Sequence, residues 1–299
     1  MHLSPRQLAV LAALTLIWGF NWPIMKMGVT AFPPLTFRTL SMWLGLPVLL
    51  LAMRLLRVPL AVPRAQWREL LWLTVTNMLV WHVVAILAVQ ALSSGRAAIL
   101  GYTMPVFSAL WGRALFGQRL SLRQFGGVVA ASVGVALLLW HEFASLAGRP
   151  LGALMMLFAA AVWALGTQQL RRTRMTVPTL AIAFWMTVVT TLVMTLLAMA
   201  TERPQWQAPN GVVWAAILFN AIAVFGYAQP AWLYLARALP PIASTLSVMF
   251  IPVLGVVAGA VWLGEVLHWQ DFAAMALMVI AIASVLWPSR GSALPASAA

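Results

Sequence analysis

Acidic residues, cysteine, tyrosine and charge in general are what this 299-residue chain has least of: five Asp and Glu, no Cys, three Tyr and 8% charged residues overall. Without cysteine there is no disulfide framework, no thiol nucleophile and no thiolate metal site, and nothing is said about redox compartment. The five acids, Glu69, Glu142, Glu202, Glu265 and Asp271, all fall at the ends of apolar runs or between them. That placement argues against an acidic proton relay or a carboxylate-rich cation site inside the runs. Paired aspartates for a divalent metal, a His-Glu-x-x-His helix and a Gly-x-Ser-x-Gly turn are missing, so a membrane-embedded enzyme is the weakest functional reading and no metal or cofactor is expected. The four histidines, His2, His82, His141 and His268, lie too far apart along the chain to be read as a ligand set.

What is there is apolar surface. At 63% hydrophobic residues the chain holds more than one soluble core of this length can hide, so its solvent is lipid. Apolar runs of about 20 residues, each able to cross roughly 30 Å of hydrocarbon as a helix, recur between short loops. They cover 7–28, 34–53, 69–91, 95–116, 123–140, 150–169, 177–200, 211–236, 241–263 and 270–288. The runs are continuous rather than alternating, which selects helices over barrel strands, and a backbone in lipid must satisfy its own hydrogen bonds. The expected fold class is therefore an all-α integral membrane protein with ten transmembrane helices. The first run reads as a retained helix rather than a removed signal peptide. Residues 289–299, "SRGSALPASAA", read as a disordered tail.

The net charge of +13 does not point to nucleic acid, because the basic residues form small clusters in the gaps between runs and no extended basic face. With ten spans and a cytoplasmic N-terminus, 13 of the 18 Lys and Arg fall on the inside, leaving Lys26, Arg38, Arg96, Arg149 and Arg203 outside. This asymmetry places both termini in the cytoplasm.

The stretch "MPVFSALWGRALFGQRL" at 104–120 recurs as "IPVLGVVAGAVWLGEVL" at 251–267. An ungapped offset of 147 pairs Pro105 with Pro252, Gly112 with Gly259, Gly117 with Gly264, Phe125 with Phe272 and Trp140 with Trp287. Trp18 in the first run pairs more loosely with Trp163 in the sixth. Each half is thus five helices, 1–144 and 145–288. An odd number inserts the second copy from the opposite side, giving two inverted five-helix repeats of the kind transporters use. Pro105 and Pro252 are expected near the middle of their helices, where each removes a backbone hydrogen bond. Beside them, Ser108 with Gly112 and Gly255 with Gly259 have the small-xxx-small spacing of close helix contacts. The pair reads either as a hinge or as a static kink.

Polar groups in the middle of the runs mark where a substrate sits. Asn77 and Trp81 share a helix face by spacing, with His82 about 100° further round. His82 reads as a ligand, a proton carrier or a packing residue. Asn220, Tyr227 and Tyr234 are seven apart and form one line on their helix. Trp18, Trp81 and Trp163 are too deep for an interfacial belt, and Asn21 lies beside Trp18. Tyr102, Ser244 and Ser247 complete the expected lining. A cavity of Trp, Tyr, Asn and Ser suits a neutral or zwitterionic amphipathic small molecule better than an ion of net charge.

"LIWGFNWPIMK", "PPLTFRTL", "ALSSGRAAILGYTMPVFSALWGRALFGQRLSLRQFGGVVAASVGVALL" and "ALPPIASTLSVMFIPVLGVVAGAVWLGEVLHWQDF" occur in that order. Through them the chain resembles the drug/metabolite transporter superfamily, specifically its ten-helix exporters with two EamA-type repeats. The second copy keeps that family's Gly-Glu ending at Gly264 and Glu265, while the first has Gln118 in its place. The resemblance implies a multi-pass protein of the bacterial inner membrane that exports amino acids, aromatic and other apolar ones foremost. Its partners would be the bilayer and a small-molecule substrate, by alternating access around a midplane cavity. A passive channel or a lipid or drug translocator is the alternative. The sequence calls for no particular oligomer, and a monomer satisfies it.

Overall fold

The computed structural model describes the backbone of residues 5–144, 149–238 and 241–286, without the side chains of 5–8, 142, 236–238, 241–249 and 285–286. The calls on Ser244, Ser247 and the tail at 289–299 lie outside the described residues.

Among the described residues the chain is entirely helical, with no strand, as continuous apolar runs require in lipid. Helices α1 (Pro5–Ala31) and α2 (Pro34–Leu55) come first. Next is a long rod made of α3 (Trp67–Thr74), two π-helical turns over Val75–Leu79 and Trp81–Ala85, and α4 (Ile86–Ala91). Helices α5 (Ser94–Gly101) and α6 (Met104–Phe116) are separated by a break at Tyr102 and Thr103. Helices α7 (Leu122–Ala144), α8 (Pro150–Leu170) and α9 (Thr179–Thr201) follow. Another composite rod joins α10 (Gly211–Phe219), a π-helical stretch over Asn220–Ala228 and α11 (Gln229–Ala238). Helices α12 (Pro241–Leu263) and α13 (Trp269–Leu286) close the chain. Seven helical segments among the described residues are long and apolar enough to cross a membrane, and shorter apolar helices accompany them. Leu51, Leu122, Trp140, Leu196 and Val261 are among the large apolar side chains left on the outer surface, where lipid is their natural neighbour.

The connections gather at two ends. At one, both Glu202 oxygens cap the start of α2: they accept from the Leu35 N–H (2.9 Å), the Thr36 N–H (2.7 Å) and the Thr36 hydroxyl (2.7 Å). Pro33 and Pro34 offer no N–H there, so this carboxylate meets the first free amides of the helix and its positive dipole end. At the same end Glu265 accepts from the Ser94 N–H (2.6 Å), the Ser94 hydroxyl (2.9 Å) and the Gly95 N–H (3.2 Å) at the start of α5. Asp271 pairs with Arg96 at 2.8 Å, and Lys26 donates to the Val89 and Gln90 carbonyls that end α4. The opposite end carries the arginines at 54, 57, 64, 68, 113, 119, 171, 172 and 174. There Gln66 donates to the Thr176 hydroxyl, Thr173 bonds Glu69, and Arg172 lies over the Phe116 ring.

The twin stretches end alike. Gly117 and Gly264 have φ of 64° and 63°, the left-handed conformation that ends a helix without strain only at glycine. After each, the next amide closes back on its helix, Gln118 to the Gly112 carbonyl and Glu265 to the Gly259 carbonyl. Gln118 and Glu265 thereby lay a side-chain oxygen over Gly112 and Gly259 respectively.

The prolines are not alike, which corrects the expectation of two mid-helix kinks. Pro252 is inside continuous α12, but Pro105 is in the first turn of α6, just after the break, where a missing N–H leaves nothing unsatisfied. Pro252→Ala is therefore expected to raise thermal stability or slow transport, and Pro105→Ala to change either by less than twofold. A larger effect of Pro105→Ala on counterflow rate would contradict this assignment.

Candidate functional site

The rods line a partly open cavity at their centre. Helix α1 contributes Trp18, Asn21, Trp22 and Met25, and α2 contributes Arg38. The composite rod after α3 supplies Trp81, His82, Ala85 and Val89, the break supplies Tyr102, and α8 supplies Trp163. Val224 and Gln229 close the last wall.

Four indole rings, Trp18, Trp22, Trp81 and Trp163, line that wall, and Trp232 packs behind them. Trp81 and Trp163 lie 4.5 Å apart between ring centroids, Trp18 is 5.9 Å from Trp163, and Trp232 sits 5.5 Å from Trp18. Trp22 meets Trp81 and Tyr102 edge-on at 6.4 and 6.3 Å. Such tilted and edge-to-face pairs are the favoured aromatic geometries and hold the rings in place without polar partners.

Of the expected lining, the structure brings Trp18, Asn21, Trp81, His82, Tyr102 and Trp163 together around the cavity. Asn77 is not there. It is buried where α8 crosses the third rod, its amide bonded to the Leu73 carbonyl and packed on Gly166. Of the expected pair of Asn77 and Trp81, only Trp81 reaches the cavity. Over Asn220–Ala228 a π-helical stretch turns each residue by less than the 100° of an α-helix, and over seven residues this separates Asn220 from Tyr227 and Tyr234. Asn220 is fully buried, whereas Tyr227 and Tyr234 are 38% and 58% exposed on the outer surface. The His141 and His268 rings lie 4.7 Å apart despite their separation in sequence, and among the described residues no group of three or more His, Asp or Glu side chains is placed to hold a metal.

The residue that sequence reasoning missed is Arg38. Counted by charge as an outside residue, it is 3% exposed and lines the cavity. Nη1 donates to Asn220 Oδ1 at 3.0 Å and Nη2 to Met25 Sδ, while Nε has no partner. Arg38 and His82 both approach the Phe225 ring, at 5.6 and 5.1 Å from its centroid. No carboxylate lines the cavity, and among the described residues Arg38 has no salt bridge. Three more lining residues hold buried polar atoms without partners: Asn21 Oδ1, both His82 ring nitrogens and Trp163 Nε1. Buried polar atoms usually find partners, so several of them turned toward one cavity offer hydrogen bonds to the polar groups of a ligand. The signal that finds Arg38 in the sequence is its place four residues into an apolar helix after "PP", well away from any loop cluster.

The comparisons with known proteins agree with one another. The EamA-like transporter family matches residues 7–140 and again 150–287. The uncharacterized inner membrane transporter YedA of Escherichia coli is 28% identical over 95% of this chain and 94% of its own length. The uncharacterized transporter YoaV of Bacillus subtilis is 24% identical over 85% of this chain and 87% of its own. A probable amino-acid metabolite efflux pump of E. coli is 27% identical over 54% of this chain and 52% of its own. A crystal structure with 21% identity covers 94% of this chain and 96% of its own at a TM-score of 0.70, which shows a common fold. Two matched copies, apolar helices and a central cavity thus meet in one assignment: this multi-pass membrane protein belongs to the EamA-like transporter family.

Proposed function

We propose that the chain is an exporter of small amphipathic zwitterions, aromatic and other apolar amino acids foremost, working by alternating access in a bacterial inner membrane. The observation that carries this reading is the indole-walled cavity between the two family repeats, with its few unpartnered polar atoms. Indole faces cover an apolar side chain, and Arg38, Asn21, His82 and Trp163 offer hydrogen bonds to the polar end. The likeness to a probable amino-acid metabolite efflux pump supports the substrate class. Ten spans in two inverted repeats, 1–144 and 145–288, give both termini to the cytoplasm, with the arginine-rich end inside and the Glu202 and Glu265 end outside.

Two measurements test it. An impermeant maleimide on intact cells should label Gln207→Cys and spare Arg174→Cys in this naturally cysteine-free chain; the reverse pattern refutes the orientation. In proteoliposomes, Trp163→Ala should cut counterflow of phenylalanine and tryptophan about tenfold, the equivalent of about 1.4 kcal/mol of lost ring contact, and that of threonine far less. Equal losses would remove the ring from the substrate's side chain, and flux without saturation or exchange would make the protein a channel.

A further inference from the structure

Resting on that reading of the cavity, we infer that its defining ligand group is a carboxylate held by Arg38, and that the α-amino group of a substrate is dispensable. The site then takes aromatic monocarboxylates as a class, of which the amino acids are one part.

The argument starts from charge. A guanidinium in the interior of a membrane protein is costly, and such groups pair with an anion or with backbone carbonyls. Arg38 does neither: an amide oxygen and a thioether take one N–H each, out of five. Among the described residues the acids are engaged elsewhere: Glu202 caps α2, Glu265 caps α5, Asp271 holds Arg96 and Glu69 bonds Thr173, while the Glu142 side chain lies outside the described residues. The Nε–H has no partner, and the residue borders the cavity. Nε–H and a remaining Nη N–H form the planar fork that accepts a carboxylate through both its oxygens. Asn220 and the Phe225 ring hold that fork at the wall, and the Trp163 N–H is a further buried donor on the same cavity.

Nothing comparable waits for an ammonium group. The described lining contains no carboxylate, and its buried unpartnered acceptors are Asn21 Oδ1 and a ring nitrogen of His82. A carboxylate ligand without an amine neutralises Arg38 and brings no second charge. A zwitterion satisfies Arg38 but brings a cation that must shed its water against indole faces, an amide and an imidazole, none of them charged opposite to it. A lone arylalkylamine adds a cation beside an uncompensated guanidinium and is excluded.

The test is a ligand series on the purified protein, read both as thermal shift in detergent and as inhibition of phenylalanine counterflow in liposomes. 3-Phenylpropionate should raise Tm and inhibit at concentrations no higher than phenylalanine does, and phenethylamine should do neither up to tenfold higher concentration. Arg38→Gln should weaken 3-phenylpropionate at least tenfold, with Arg38→Lys losing less. The inference is overturned if phenethylamine binds as well as 3-phenylpropionate, or if folded Arg38→Gln binds the carboxylate undiminished. Should Arg38→Gln not fold, the wild-type series decides alone. Phenylalanine counterflow with no effect of 3-phenylpropionate sinks this inference and spares the exporter. Tight 3-phenylpropionate binding with no counterflow of any compound supports it and sinks the exporter.

Discussion

Glu202→Ala is expected to destabilise the protein by about 4.5–9 kcal/mol, because hydrogen bonds to a charged group contribute about 1.5–3 kcal/mol each and three are lost together. The carboxylate is buried, and its loss strands the Leu35 and Thr36 amides at the start of α2 where water cannot replace it. Trp206 Nε1 also donates to the Thr36 hydroxyl, so the turn after α9 loosens with the helix it caps. A drop in Tm on the order of 5 °C or more in detergent is the expected reading. Glu202→Gln, which keeps one acceptor oxygen, should fall between the two. If Glu202→Ala melts with the parent protein, the α2 cap is ornamental and the folded contact between the repeats does not depend on it.

Gly166→Val should prevent folding. A β-carbon at Gly166 would sit 2.6 Å from Asn77 Nδ2 and 2.7 Å from the Thr76 carbonyl carbon. The second of these is backbone and cannot swing away, so α8 and the third rod must separate along their crossing. Overpacking a tight interface costs about 1–3 kcal/mol when side chains can adjust, and more is expected where they cannot. The separation also moves Trp163, three residues earlier on α8, from its 4.5 Å contact with Trp81. Aggregation on size-exclusion chromatography is the expected result, and even Gly166→Ala should lower Tm measurably. A monodisperse, fully active Gly166→Val protein would show that this crossing is looser than described.

Helix positions and the aromatic character of the site were legible in the sequence because both follow from local chemistry. Twenty continuous apolar residues have one stable form in lipid, and a tryptophan in the middle of such a run has no water to face. Arg38 was not legible by charge counting, which sorts cations by which side of the membrane a loop falls on and has no category for one inside. Tyr227 and Tyr234 were misplaced for another reason: face arguments assume 100° per residue, and the π-helical stretch over Asn220–Ala228 breaks that register between Asn220 and the two tyrosines. Pro105 was read as a kink because Gly101, just before the break at Tyr102 and Thr103, stands in an otherwise continuous apolar run with no polar cluster beside it.

Under the proposed inverted arrangement, two identical halves would make the inward-open and outward-open forms states related by a two-fold axis and equal in free energy. Glu265 and Gln118 occupy corresponding places, each beside a left-handed glycine and over the glycine five residues before it. Only the first is a carboxylate, and it grips the start of α5 through charge-assisted bonds about twice as strong as an amide can make. Under the alternating access proposed above, that single atom's difference would lift the degeneracy. The empty protein would then rest with its Glu265 end closed and its cavity open toward the arginine-rich end.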